Sequence, residues 1–132
     1  DIYSLDKKAD IGLGVKFKYD DTLASLVKLI ENKTGLKTVN VVKAHDRIIN
    51  TAAVIGGAGM SYREAAFNAG IDVLITGDVK YHEAYDAKAA GHNIIDGGHY
   101  LEVLMTSGLA ELIDEQLDVP VIPSKVSTNP FE

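Results

Sequence analysis

Asp72-Val73-Leu74-Ile75-Thr76-Gly77-Asp78 and Asn93-Ile94-Ile95-Asp96-Gly97-Gly98-His99 decide how this chain folds. Each is a short apolar run that stops in glycine and a polar residue, as a buried strand does where it hands over to a helix. A helix predicted from about Val79 to Ala90 separates the two. A third such unit lies upstream: Thr51 to Ile55, ending in Gly56-Gly57-Ala58-Gly59, then a helix with Ala65, Ala66 and Ala69 running to Gly70. Strands alternating with helices predict an α/β fold, with a partly parallel or mixed sheet flanked by helices.

Outward from that centre, Val15-Lys16-Phe17-Lys18-Tyr19 alternates and reads as a half-buried strand. Asp20 or Asp21 is the expected cap of a helix carrying Leu23, Leu26, Val27 and Ile30, closed near Gly35. Thr38 to Val42 reads as a strand, His45-Asp46-Arg47 as a turn, and His45 and His92 as surface histidines. Beyond His99 a long helix is expected towards Leu117, its Glu111, Asp114 and Glu115 forming a solvated face. Val119 to Ile122 reads as a last short strand broken by Pro120 and Pro123.

At 132 residues, 46% hydrophobic and 24% charged, the chain has the make-up of one globular domain spanning residues 1–132. A net charge of −6 argues against nucleic-acid binding, which needs a basic face. Without cysteine there is neither a disulfide nor a thiolate metal site, so any ion must be held by histidine and carboxylate. Those donors suit zinc, manganese or iron. No apolar run approaches the roughly 18 residues of a membrane span, and a cytoplasmic location is expected. The chain opens on Asp1 rather than methionine, which reads as a processed or excised piece of something longer.

In open α/β sheets, ligands collect beyond the carboxyl ends of parallel strands. If the three strands are parallel, Gly56 to Gly59, Thr76 to Asp78 and Asp96 to His99 open onto one edge. The first loop could expose backbone N–H groups to a phosphate or substrate, although it lacks the Lys of a P-loop and the third glycine of the dinucleotide fingerprint. Gly57, Gly59 and Thr76 are therefore the candidate substrate contacts. Asp78 and His82, four residues apart, are either a helix cap with a polar neighbour or a proton-transfer pair. His99 and Glu102, three apart, would lie about 60° apart on a helix, an imidazole and a carboxylate that could form half of a metal site.

Several stretches together resemble one family. Thr76-Gly77-Asp78-Val79-Lys80-Tyr81-His82-Glu83-Ala84, Ile94 to Glu102, Val54 to Gly59, the opening Asp1-Ile2-Tyr3 with Gly12-Leu13-Gly14, and the ending Asn129-Pro130-Phe131-Glu132 are similar to the Nif-three-like family. Its bacterial members carry the name GTP cyclohydrolase type 2 homologue. The resemblance covers only the C-terminal half of the family pattern and implies one half of a duplicated fold. It also implies a two-metal site in the cleft between halves, with His99 and Glu102 as this half's ligands. The paired-histidine motif and Asp of the other half are absent here, so the isolated chain is expected to be inactive. By resemblance the partners are the missing N-terminal half and further copies in a ring-shaped hexamer, with a small-molecule substrate. His82 is then the candidate for proton transfer, oriented by Asp78. A non-catalytic metal-binding scaffold or metal-trafficking protein, and a simple nucleotide-binding module, are the alternatives.

Overall fold

A computed structural model describes residues 13–37, 39–127 and 129–130. Five strands, β1 (Val15–Asp21), β2 (Asn40–Val42), β3 (Ile49–Val54), β4 (Val73–Thr76) and β5 (Asn93–Asp96), form one sheet in the order β1-β3-β4-β5-β2. The central β3, β4 and β5 are parallel, with Val54 opposite Ile75 and Thr76 opposite Asp96. The edge strands β1 and β2 run antiparallel to β3 and β5. The sheet is thus mixed, as expected, and its parallel part is the β–α–β–α–β run read from the sequence.

Side chains on a strand alternate between faces, and the core divides accordingly. Ala52, Val73, Ile75 and Ile95 point to one face and pack on Leu23 and Leu26 of α1 (Leu23–Thr34). Ala53, Leu74 and Ile94 point to the other and meet Ala66 and Phe67 of α2 (Arg63–Asn68) and Ala87 of α3 (Tyr81–Ala89). Burial on both faces is why β4 and β5 read as unbroken apolar runs.

Local chemistry shifts several boundaries. Thr22 caps α1 in place of Asp20 or Asp21: its hydroxyl accepts the Ser25 N–H at 3.2 Å, while Asp21 accepts the Thr22 N–H and the Ser25 hydroxyl. Asp20 instead takes a positive φ of 91° beside an irregularity in the β1–β3 register. The helix expected from Val79 begins at Tyr81, because Glu83 accepts the Lys80 N–H at 2.9 Å and closes its first turn. The long helix expected from His99 is two pieces, a 3₁₀ segment (His99–Val103) and α4 (Leu104–Gln116). Val119 to Ile122 is not a strand: two prolines remove ladder donors, and the segment has no regular structure.

Glu111, Asp114 and Glu115 are exposed on α4, as read. His45 and His92 are not free surface histidines. Both are half-buried, His92 stacked on Phe67 with ring centroids 3.8 Å apart and His45 against the amide of Asn93. Thr38, Asp1 to Gly12 and Phe131-Glu132 lie outside the described residues. Among the described residues no helix is long and apolar enough to cross a membrane.

Candidate functional site

Because β3, β4 and β5 are parallel, the three loops that follow them do meet at one sheet edge. Thr76 ties the first loop to the second. Its buried hydroxyl donates to the Gly57 carbonyl at 3.0 Å and accepts the Gly59 N–H at 2.8 Å. The Gly77 N–H also reaches the Gly57 carbonyl, and the Gly97 N–H reaches the Thr76 carbonyl. Gly77 has to be glycine: a Cβ there would sit 2.6 Å from the Gly98 carbonyl carbon and oxygen, so the second and third loops touch backbone to backbone.

That approach puts Asp78 beside His99. The Asp78 carboxylate meets His99 Nδ1 at 2.6 Å, and His99 Nε2 lies 3.4 Å from Glu102 Oε2. The 3₁₀ backbone helps the second contact, since residues three apart eclipse in a 3₁₀ helix. Gly57 closes the floor: with φ at +60°, a Cβ there would come within 2.6 Å of Glu102 Oε1. The three side chains are about half exposed, His99 at 60%. The hydrogen bond that His99 Nδ1–H donates to Asp78, the charge of Asp78 and then the charge of Glu102 hold the His99 pKa above its ordinary range.

The trio lines a cleft of about 960 Å³. One wall is the 3₁₀ segment and the start of α4, the other Ser124, Val126, Asn129 and Pro130 of the C-terminal stretch, joined by the Tyr100 hydroxyl to Ser127 at 3.2 Å. His82 sits exposed on the first turn of α3, outside this lining. The structure therefore pairs Asp78 with His99, not with His82. Gly57 and Gly59 are buried, and Thr76 is 1% exposed with its hydroxyl already satisfied.

Chemically the rim offers two donors to an ion, His99 Nε2 and the Glu102 carboxylate, with Asp78 behind as the group that fixes the imidazole. Among the described residues no cluster of three or more histidines and carboxylates is placed to hold a metal by itself. The sequence reading missed the Asp78–His99 partnership, but its signal was there. Thr76 pairs with Asp96, so two further residues along each loop bring Asp78 level with Gly98, next to His99. The cleft wall from the C-terminal stretch carried no sequence signal, since nothing in the sequence around Ser124, Val126 and Asn129 forecasts where they lie.

Fold and rim together define an α/β protein with a carboxylate-oriented histidine at the carboxyl edge of a parallel sheet. The chain belongs to the Duf34/NIF3 (NGG1p interacting factor 3) family, whose model matches residues 1–130. It is 36% identical over 139 residues to a GTP cyclohydrolase 1 type 2 homolog of Staphylococcus aureus strain MRSA252, covering all of this chain and 38% of that protein. Its fold superposes on a crystal structure of a Staphylococcus aureus protein with a TM-score of 0.83 at 38% identity, over 92% of this chain and 42% of the other. A Bacillus cereus protein related to NIF3 gives a TM-score of 0.79 at 34% identity, over all of this chain and 38% of the other. The chain thus spans well under half the length of the relatives it matches.

Proposed function

We propose that this chain supplies one wall of a divalent-metal site in a metal-dependent hydrolase, with His99 and Glu102 as its donors. The observation that carries the reading is the 2.6 Å contact between Asp78 and His99 Nδ1. A carboxylate on one ring nitrogen fixes the tautomer and aims the lone pair of the other, the arrangement found behind histidine ligands of metals. With Nδ1–H donated to Asp78, Nε2 faces outward beside Glu102, 3.4 Å away. Two donors leave an ion under-coordinated, and zinc, manganese or iron would take the remainder from polypeptide outside this chain.

An ion held by His99 and Glu102 would supply acidification of water to a pKa of about 7 and polarisation of the group attacked. This chain's residues orient and position: Asp78 holds the imidazole, Gly57 leaves room for the Glu102 carboxylate, and the Thr76 hydroxyl pins the floor. The name of the relatives suggests GTP as substrate, with hydrolytic opening of the imidazole ring and release of formate. The rim's openness, His99 at 60% exposure, also suits an ion that is passed on rather than used. Formate release from GTP by a metal-loaded, full-length form separates hydrolysis from ion handling.

Metal content by mass spectrometry, on this chain and on a form extended at its N-terminus, tests the site itself. Metal in the extended form alone, abolished by His99→Ala, is the expected result. Stoichiometric metal in the 132-residue chain would mean the shell closes here, and the half-site reading would be wrong.

A further inference from the structure

The glycine-rich loops look in sequence like a phosphate cradle, and the structure commits four of their glycine donors elsewhere. A phosphate is held in such loops by backbone N–H groups that point at it unpaired. Here the Gly59 N–H goes to the Thr76 hydroxyl at 2.8 Å and the Gly77 N–H to the Gly57 carbonyl at 2.8 Å. The Gly97 N–H goes to the Thr76 carbonyl and the Gly98 N–H to the Asp96 carboxylate, each at 2.9 Å. The first three of these bonds knit the loops to one another, and the fourth closes the third loop on itself.

The cleft beside them is equally unsuited to an anion. Among the described residues no Lys or Arg lines it; its carboxylates are Asp78 and Glu102, which flank the His99 imidazole from both sides. The rest of the lining is largely apolar, with Leu36, Val103, Met105 and Val126 around Tyr100. A triphosphate lowered into the cleft meets one imidazole against two carboxylates, so repulsion outweighs attraction. At about 960 Å³ the cleft has the size of a small-molecule site.

We infer that this chain's side of the cleft receives the uncharged, partly apolar end of a ligand, the size of a heterocycle with its sugar, and excludes a phosphate chain. Where the ligand is a guanine nucleotide, the base and ribose lie here and the phosphates lie against polypeptide beyond this chain. The inference takes from the proposed function only that this cleft is the ligand side, and needs no ion.

The test is calorimetric titration of the chain with guanosine, GMP and GTP in chelator-containing buffer at low and moderate salt. Guanosine should bind at least as tightly as GTP, with little response to salt. In Thr106→Lys, a cation placed on the exposed lip of the cleft, GTP should gain about fivefold at low salt while guanosine stays unchanged. GTP binding more tightly than guanosine in the unaltered chain would overturn the inference. So would failure of guanosine to bind, or a Thr106→Lys response that is absent or equal for both ligands. The ion is read separately. Loss of metal uptake by the N-terminally extended form in His99→Ala, with the guanosine-over-GTP order kept in this chain, supports both readings, whereas uptake by the extended form unaffected by His99→Ala sinks the metal site alone.

Discussion

The central strands and helix α4 are built from the same kinds of residue and finish at opposite extremes of burial. Val73, Leu74, Ile94 and Ile95 are wholly inaccessible, while Met105, Leu109 and Leu112 are 68%, 50% and 55% exposed. The strands have helices on both faces, so every apolar side chain finds a partner. Only one side of α4 is covered: Ala110 and Ile113 are half-buried, and Met105, Leu109 and Leu112 lie on a stripe facing away. The difference separates frame from rim. Folding energy sits in the β3–β4–β5 layer, and the groups with chemistry, Asp78, His99 and Glu102, hang at its edge where they contribute little to stability.

The largest effect that contrast predicts is in the core. Ile94→Ala removes a fully buried side chain between α3 and the sheet and should cost about 2–5 kcal/mol in chemical denaturation. Leu109→Ala, at 50% exposure, should stay within about 0.5 kcal/mol. Comparable losses from the two would break the contrast and place α4 inside the cooperative unit.

Thr76→Val comes next, because Thr76 is where frame and rim meet. Valine keeps the shape and deletes the hydroxyl, leaving the Gly57 carbonyl with one partner and the buried Gly59 N–H with none. An unsatisfied buried donor costs about 1–3 kcal/mol, and a loss of that size is expected. Unchanged stability together with weakened ligand binding would return Thr76 to the role its sequence position suggested, a substrate contact.

How much of this was legible follows the same division. The frame could be read because burial on two faces leaves a direct mark, an apolar run closed by glycine at Thr51 to Gly59, Asp72 to Gly77 and Asn93 to Gly98. Parallel pairing then placed the three loops at one edge without further information. His99 and Glu102 could be paired because they are neighbours in the chain. Asp78 went to the wrong partner because spacing along a helix was applied to a residue that precedes the helix, with φ at +55°. Thr76 reads as a ligand contact because a hydroxyl facing a ligand and one facing a backbone carbonyl look alike in sequence, and the structure sets its hydroxyl between the Gly57 carbonyl and the Gly59 N–H. The final strand failed for a related reason: apolar content in Val119 to Ile122 said nothing about whether a neighbour had free edge groups.

A smaller effect is expected at the opposite end of the sheet, where Asn93 is buried completely. Its side-chain oxygen accepts the N–H groups of Ala44 and His45, so its amide nitrogen must donate to the His45 ring, 3.2 Å away at Nδ1. Only a neutral imidazole can accept. Burial, and then the charge of Arg47, hold the His45 imidazolium below its ordinary range. A folded-state pKa below the unfolded 6.5 means the contribution is fully present above about pH 6.5 and is lost as pH falls through the folded value. His92, lowered by burial, acts in the same direction, and His99 acts in the opposite one. The difference between unaltered protein and His45→Gln across pH 7 to 5 isolates His45. Parallel stability curves would mean that the Asn93 contact carries none of the dependence.

The smallest effect on stability, and the sharpest on the rim, belongs to Asp78→Asn. Asparagine tolerates the left-handed backbone that Asp78 adopts, so the exchange removes charge without strain. Stability should move by less than about 0.5 kcal/mol, as for other exposed sites. The imidazole of His99 should respond strongly, because its bond to Asp78 and the charge of Asp78 are the two largest causes that raise its pKa, ahead of Glu102. Its titration, followed by NMR, should move down towards the ordinary value and stop above it, with Glu102 still 3.4 Å from Nε2. Since the folded value is raised, the stability His99 brings is fully present below about pH 6.5 and is lost as pH rises through the higher folded-state value. The dependence should flatten in Asp78→Asn. A titration that does not move would mean His99 is not held through Nδ1, and the rim would lose the feature that aims its other nitrogen at an ion.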